Sequence, residues 1–246
     1  MCRHLAYLGS PVSLAALLID PPHSLLRQSW APTDMRGGGT INADGFGAGW
    51  YPTDRPEPVG YRRATPMWSD TGFADLAGTI TTGCALAAVR SATVGMPVTE
   101  SASAPFAGGR WLFSHNGVVR GWPDSMAALA AGLPVVDLLT MDAPTDAALL
   151  WALLRHRLAA GQEPEDALAA LVTDVADAAP DSRLNLLLTD GETVLATAWG
   201  HALSVLTGPD RSVIASEPWD TDPGWRAVSD RQLVIADRSG LTVHDL

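Results

Sequence analysis

Apolar runs of strand length, most of them ending in glycine or polar residues, recur along this chain. A first group lies at residues 3–8, 46–51, 84–89 and 110–114, and a second at 184–189, 193–199, 212–216 and 232–236. Short apolar runs bounded by turn residues read as strands. Asp190-Gly191 sits between two of them and is a hairpin signal. Between the two groups the period changes. Leu150, Leu153, Leu154 and Leu158 fall on one face of a helix predicted over 145–159, and Leu168, Leu171, Val172 and Val175 on one face of a helix predicted over 164–178. The i, i+3, i+4 spacing is that of amphipathic helices packed on a core. Gly161 between them supports a helical hairpin, and shorter helices are expected at 13–19 and 124–131. Strand groups separated by a helix pair predict two sheets covered by helices, an α+β architecture rather than alternating βαβ units.

Composition narrows the function classes. The chain has 246 residues and a net charge of -11, from 16 basic and 27 acidic residues. This length is read as one domain over residues 2–246, large enough to bury a substantial core. No basic run exists and lysine is absent, so neither nucleic acid nor an anionic membrane is expected as a partner. The apolar run at 14–19 is too short for a membrane span and ends in Asp20-Pro21-Pro22 without a small-residue cleavage pattern. Two cysteines, Cys2 and Cys84, do not make a disulfide scaffold. A reducing, cytoplasmic location fits. No glycine-rich phosphate loop follows a strand, and neither metal nor cofactor is called for.

Candidate chemistry begins at Cys2. A small residue after the initiator methionine lets Met1 be trimmed, which would leave Cys2 with a thiol nucleophile and a free α-amine on one residue. Their reference pKa values, roughly 8.5 and 7.7–8.0, suit proton exchange between them. Arg90 ends an apolar strand before Ser91-Ala92-Thr93, and its planar fork matches a carboxylate. In His115-Asn116-Gly117, the Asn116 side-chain amide and the Gly117 N–H are two neutral donors for a developing oxyanion. A tight Asn-Gly turn is the alternative. Asp146 stands either as a first-turn helix acid or as a carboxylate that grips an ammonium. The Asn42-Ala43-Asp44-Gly45 segment enters the strand at 46–51 through an Asp-Gly turn.

These pieces, in this order, resemble the class II glutamine amidotransferases, a family of N-terminal-nucleophile hydrolases. Cys2, residues 42–49, Arg90-Ser91-Ala92-Thr93, His115-Asn116-Gly117 and Thr145-Asp146 carry the likeness, over roughly the first 150 residues. The resemblance implies a four-layer αββα sandwich with Cys2 as nucleophile and Asn116 and Gly117 as the oxyanion hole. It also implies that Arg90, with Thr93, binds a glutamyl α-carboxylate and Asp146 its α-ammonium. Residues 1–9, 20–25, 28–32, 42–47 and 215–218 further resemble the branch of this family that acts in ergothioneine biosynthesis. That implies hydrolysis of the γ-glutamyl amide of γ-glutamyl-hercynylcysteine sulfoxide, through a Cys2 thioester, to glutamate and hercynylcysteine sulfoxide. The alternative is a glutaminase subunit supplying ammonia to a separate synthase, and a third reading is a catalytically silent binding module. With no synthase domain in 246 residues, a stand-alone hydrolase is the expectation. The hercynyl side carries a quaternary ammonium, which aromatic faces attract. Of the nine tryptophans, Trp30 or Trp68 is expected to meet it.

Overall fold

The computed structural model describes residues 2–35 and 39–246. Met1 lies outside them, and with it the expected trimming. The strands are β1 (Arg3–Ser13), β2 (Phe46–Trp50), β3 (Val59–Arg63), β4 (Thr81–Val89), β5 (Phe106–Gly108), β6 (Trp111–Val118), β7 (Arg183–Thr189), β8 (Val194–Ala198), β9 (Ser204–Gly208), β10 (Arg211–Ala215), β11 (Arg226–Ala227), β12 (Gln232–Asp237) and β13 (Gly240–Asp245). The helices are α1 (Leu14–Leu18), α2 (Leu25–Gln28), α3 (Thr71–Thr79), α4 (Ala127–Ala130), α5 (Val135–Leu139), α6 (Asp146–Ala159) and α7 (Pro164–Ala178).

Every strand pairing is antiparallel, in a seven-stranded sheet of order β11-β9-β10-β1-β4-β2-β3 and a six-stranded sheet of order β13-β12-β8-β7-β6-β5. Alternation along the strands produces the layers. On β1, Leu5 and Tyr7 face one way and pack with Leu14, Leu17 and Leu18 of α1 and Phe73 of α3. Ala6 and Leu8 face the other way and meet Leu112 of β6 and Leu187 of β7 between the sheets. The outer face of the second sheet carries Phe113, Leu184, Leu186 and Leu188, which pack under Leu150, Leu154, Leu168 and Leu171 of the helix pair α6 and α7. Phe113 stacks on Trp151 of α6 at 5.6 Å. The result is the expected αββα sandwich with three apolar layers.

The early and late strand groups do not each form one sheet. β6, early in sequence, pairs with the later β7, and β10 lies beside β1. Both exchanged strands are central and buried on both faces through most of their length, which suits apolar runs with little alternation. The helix pair falls where its periodicity predicts, and Gly161 between the two helices has φ of +83°. The region at 124–131 divides into a 3₁₀ turn over Asp124–Met126 and the short α4. Asp190-Gly191 does turn between β7 and β8, with Gly191 at φ of +95°. Among the described residues no helix is long and apolar enough to cross a membrane.

Candidate active site

Register brings the ends of several strands to one end of the sandwich. Arg3 pairs with Val89, and Val89 with Phe46, so Cys2, Arg90 and Gly45 leave their strands side by side. Ser216 follows at the same end, its N–H donating to the His4 carbonyl at 3.0 Å. The second sheet supplies the far end of β6, and α6 begins next to it.

The Cys2 thiol is half-buried and donates to the Ser91 carbonyl at 3.7 Å. It opens on a cleft of about 480 Å³, mouth included, together with Arg90, Thr93, His115, Gly117 and Asp146. The loop carrying Arg90 is held by Asp44. The Asp44 N–H donates to the Arg90 carbonyl at 2.9 Å, and its carboxylate accepts from the Ala92 N–H at 2.7 Å. Gly45, with φ of +132°, makes the turn that lets the chain enter β2 there. Arg90 is only 9% exposed. Its guanidinium donates to the Pro97 carbonyl at 2.8 Å, and no ion pair engages it among the described residues. A nearly buried cation without a counter-anion is costly.

Asp146 occupies the first turn of α6 because Thr145 caps that helix, its hydroxyl accepting from the Ala148 N–H at 3.2 Å. The Asp146 carboxylate accepts from the Ala147 N–H at 2.8 Å and the Val119 N–H at 3.1 Å. The first-turn reading of this residue holds, and the carboxylate also lines the cleft with lone pairs left over.

His115-Asn116-Gly117 lies inside β6 rather than in a turn. The tight Asn-Gly turn considered from the sequence is therefore replaced by a strand pairing, Asn116 opposite Asn185 and Gly117 opposite Leu184. The glycine answers to packing: a Cβ at 117 would lie 1.8 Å from the Arg183 carbonyl oxygen. Asn116 is fully buried, and its side-chain amide donates to the Ser216 hydroxyl at 3.0 Å. Gly117 lines the cleft, and the neighbouring Asn116 side chain reaches Ser216.

Trp30 and Trp68 lie together outside this lining, 37% and 41% exposed, edge to face with ring centroids 5.7 Å apart. Arg27 covers the Trp30 ring at 5.4 Å. The pair is linked to the nucleophile through the following loop. Thr33 donates its N–H and its hydroxyl to Glu217, and the Asp34 carbonyl accepts from the Arg3 guanidinium.

Sequence reasoning missed the support beneath Cys2. Arg3 is fully buried, pairs with Glu217 at 2.5 Å and donates to the Cys2 carbonyl at 2.9 Å. Glu217 also accepts from His23 at 2.8 Å. Burial would raise the Glu217 pKa, but hydrogen bonds from His23 and Thr33 and the charge of Arg3 outweigh it and hold the carboxyl at about 2. Beside it, burial pushes the His4 imidazole well below its ordinary value, with His115, His201 and Arg3 adding to the effect. Cys84 is buried against Thr189, and burial lifts its thiol to about 12, so it is inert beside Cys2.

The model of the family described as glutamine amidotransferases class-II matches residues 13–210. The chain belongs to the class-II glutamine amidotransferases. It is 46% identical over 235 residues to the γ-glutamyl-hercynylcysteine sulfoxide hydrolase of Mycolicibacterium smegmatis, covering 95% of each chain. It is 43% identical over 244 residues to the protein of the same name from Mycobacterium tuberculosis, covering 99% of this chain and 96% of that one. Among solved structures, a class-II glutamine aminotransferase domain protein from Silicibacter pomeroyi shares the fold with a TM-score of 0.70 at 24% identity, covering 99% of both chains. The glutamine phosphoribosylpyrophosphate amidotransferase of Bacillus subtilis also scores 0.70, at 14% identity over 99% of this chain and 49% of that one.

Proposed function

We propose that the protein hydrolyses the γ-glutamyl amide of γ-glutamyl-hercynylcysteine sulfoxide, releasing glutamate and hercynylcysteine sulfoxide in the cytoplasm. The observation that carries this reading is one cleft holding Cys2, Gly117, the unpaired cation Arg90 and the carboxylate of Asp146. A glutamyl group presents the matching α-carboxylate, α-ammonium and γ-carbonyl. Arg90, with Thr93, takes the carboxylate by its fork, and Asp146 takes the ammonium. The choice of leaving group rests on the relatives at 43–46% identity, whose names state it.

With Met1 removed, Cys2 Sγ attacks the γ-carbonyl carbon and the α-amine takes the thiol proton. The carbonyl electron pair moves to oxygen, which the Gly117 N–H and the Asn116 amide stabilise. Collapse of the adduct breaks the C–N bond, and the Cys2 ammonium protonates the departing amine. Water, deprotonated by the same amine, hydrolyses the γ-glutamyl thioester and regenerates the thiol. The exposed Trp30–Trp68 pair offers ring surface to the trimethylammonium of the leaving group.

Glutamate release from γ-glutamyl-hercynylcysteine sulfoxide, compared with release from free glutamine, tests the assignment. Preference for the sulfoxide substrate, abolished by Cys2→Ala, is expected. Turnover of glutamine with the sulfoxide left intact contradicts it and points to a glutaminase subunit serving a synthase.

A further inference from the structure

We infer that Ser216 is a positioning residue for the oxyanion hole, selecting the orientation in which Asn116 presents its amide N–H groups rather than its carbonyl. The inference rests on the role proposed above for Asn116. The Ser216 hydroxyl has one hydrogen and two lone pairs, and three groups meet it. The His4 N–H donates to it at 3.0 Å, the Asn116 amide nitrogen lies at 3.0 Å, and the His4 carbonyl lies at 3.2 Å. The His4 N–H can only donate and the His4 carbonyl can only accept. That carbonyl also accepts the Ser216 N–H at 3.0 Å, and with the hydroxyl hydrogen directed at it as well, the lone pair left over accepts from Asn116.

An asparagine amide is nearly symmetric in shape, so packing alone does not choose between NH2 and oxygen. With its hydrogen on the His4 carbonyl, the hydroxyl does. It holds the NH2 end toward Ser216, using one of its two hydrogens and leaving the other for the substrate. Oδ1 then has no partner among the described residues although it is buried, a state disfavoured unless another bond fixes the amide. With the amide reversed, an oxygen lone pair would face the developing oxyanion and oppose it. Ser216 is itself fully buried and follows β10, which pairs directly with β1, the strand that Cys2 precedes. The same hydroxyl therefore ties the oxyanion donor on one sheet to the nucleophile's strand on the other.

The test is a double-mutant cycle of Ser216→Ala and Asn116→Ala, with kcat and KM measured separately for γ-glutamyl-hercynylcysteine sulfoxide. Ser216→Ala is expected to lower kcat roughly tenfold and to leave KM within about twofold, because Arg90 and Asp146 are untouched. In the Asn116→Ala background the same substitution should change kcat by less than about twofold, since the group it acts through is gone. Ser216→Cys keeps the size but weakens the acceptor, and serves the same cycle if alanine loosens the sheet. Full additivity of the two losses, or unchanged kcat in Ser216→Ala while Asn116→Ala is impaired, overturns the inference. Unchanged kcat in Asn116→Ala alone overturns the oxyanion role itself, a separate result.

Discussion

Arg3 donates to the carbonyl oxygen of Cys2 at 2.9 Å while its Nε holds Glu217 at 2.5 Å. The backbone of the candidate nucleophile is thereby fixed by the residue next to it, and that residue by a carboxylate 214 positions away. Arg3 and Glu217 are both buried. Removing the carboxylate leaves the Arg3 charge uncompensated, so Glu217→Ala is expected to lose about 3–5 kcal/mol of stability. Chemical denaturation measures this, and a loss under about 1 kcal/mol would show that the pair does not hold this end of the sandwich.

The same carboxylate sets an acid limit. Its folded-state pKa lies at about 2, below the ordinary 4.5. A depressed carboxylate contributes stability that is present above the unfolded value and disappears as pH falls through the folded one. Stability should therefore fall between pH 4.5 and about 2, and Glu217→Gln should flatten that part of the profile. Equal acid slopes in both proteins would remove Glu217 from this role.

For the oxyanion donors the expected readout is kcat. Asn116→Ala should lower it about 10²–10³-fold with little change in KM. A variant with near-normal turnover would take Asn116 out of the chemistry.

Arg90→Lys tests the carboxylate clamp. A compact ammonium cannot reproduce two parallel bonds from a planar fork. A lost charged hydrogen bond is worth about 1.5–3 kcal/mol, so kcat/KM should fall roughly tenfold to a hundredfold. Unchanged kinetics would reject the clamp.

The aromatic pair makes a claim about the leaving group alone. Arg27 already covers the Trp30 face, so Trp68 is the freer ring. Trp68→Ala should weaken the trimethylammonium substrate by about 0.5–2 kcal/mol and leave glutamine, which lacks that group, unaffected. Equal effects on both would place Trp68 in packing instead.

The long elements were legible because their periodicity is strong: α7 has the bounds its leucine spacing predicts, and β1, β4 and β7 follow their apolar runs. The missed strands are of another kind. β13 is mostly exposed, β11 has two residues, β5 has three and β3 is half-buried at a sheet edge, so none of these carries an apolar pattern to read, and β9, also missed, is buried only over Ser204–Leu206. Cys2, Arg90, Thr93, Gly117 and Asp146 were singled out by residue type, order and family resemblance, and the fold gathers them around one cleft. Arg3 and Ser216 were not found as partners. Their roles arise from contacts with Glu217 and Asn116 across sheets, and no local spacing encodes a pairing between distant strands. The Asn-Gly ambiguity was resolved by register, another non-local property.

Mass spectrometry of the protein quenched during turnover of γ-glutamyl-hercynylcysteine sulfoxide tests the central claim most directly. The account predicts a chain beginning at Cys2, a transient γ-glutamyl adduct on the peptide that contains it, and glutamate and hercynylcysteine sulfoxide in equal amounts. A chain beginning at Cys2 that leaves the substrate intact and carries no adduct would contradict it.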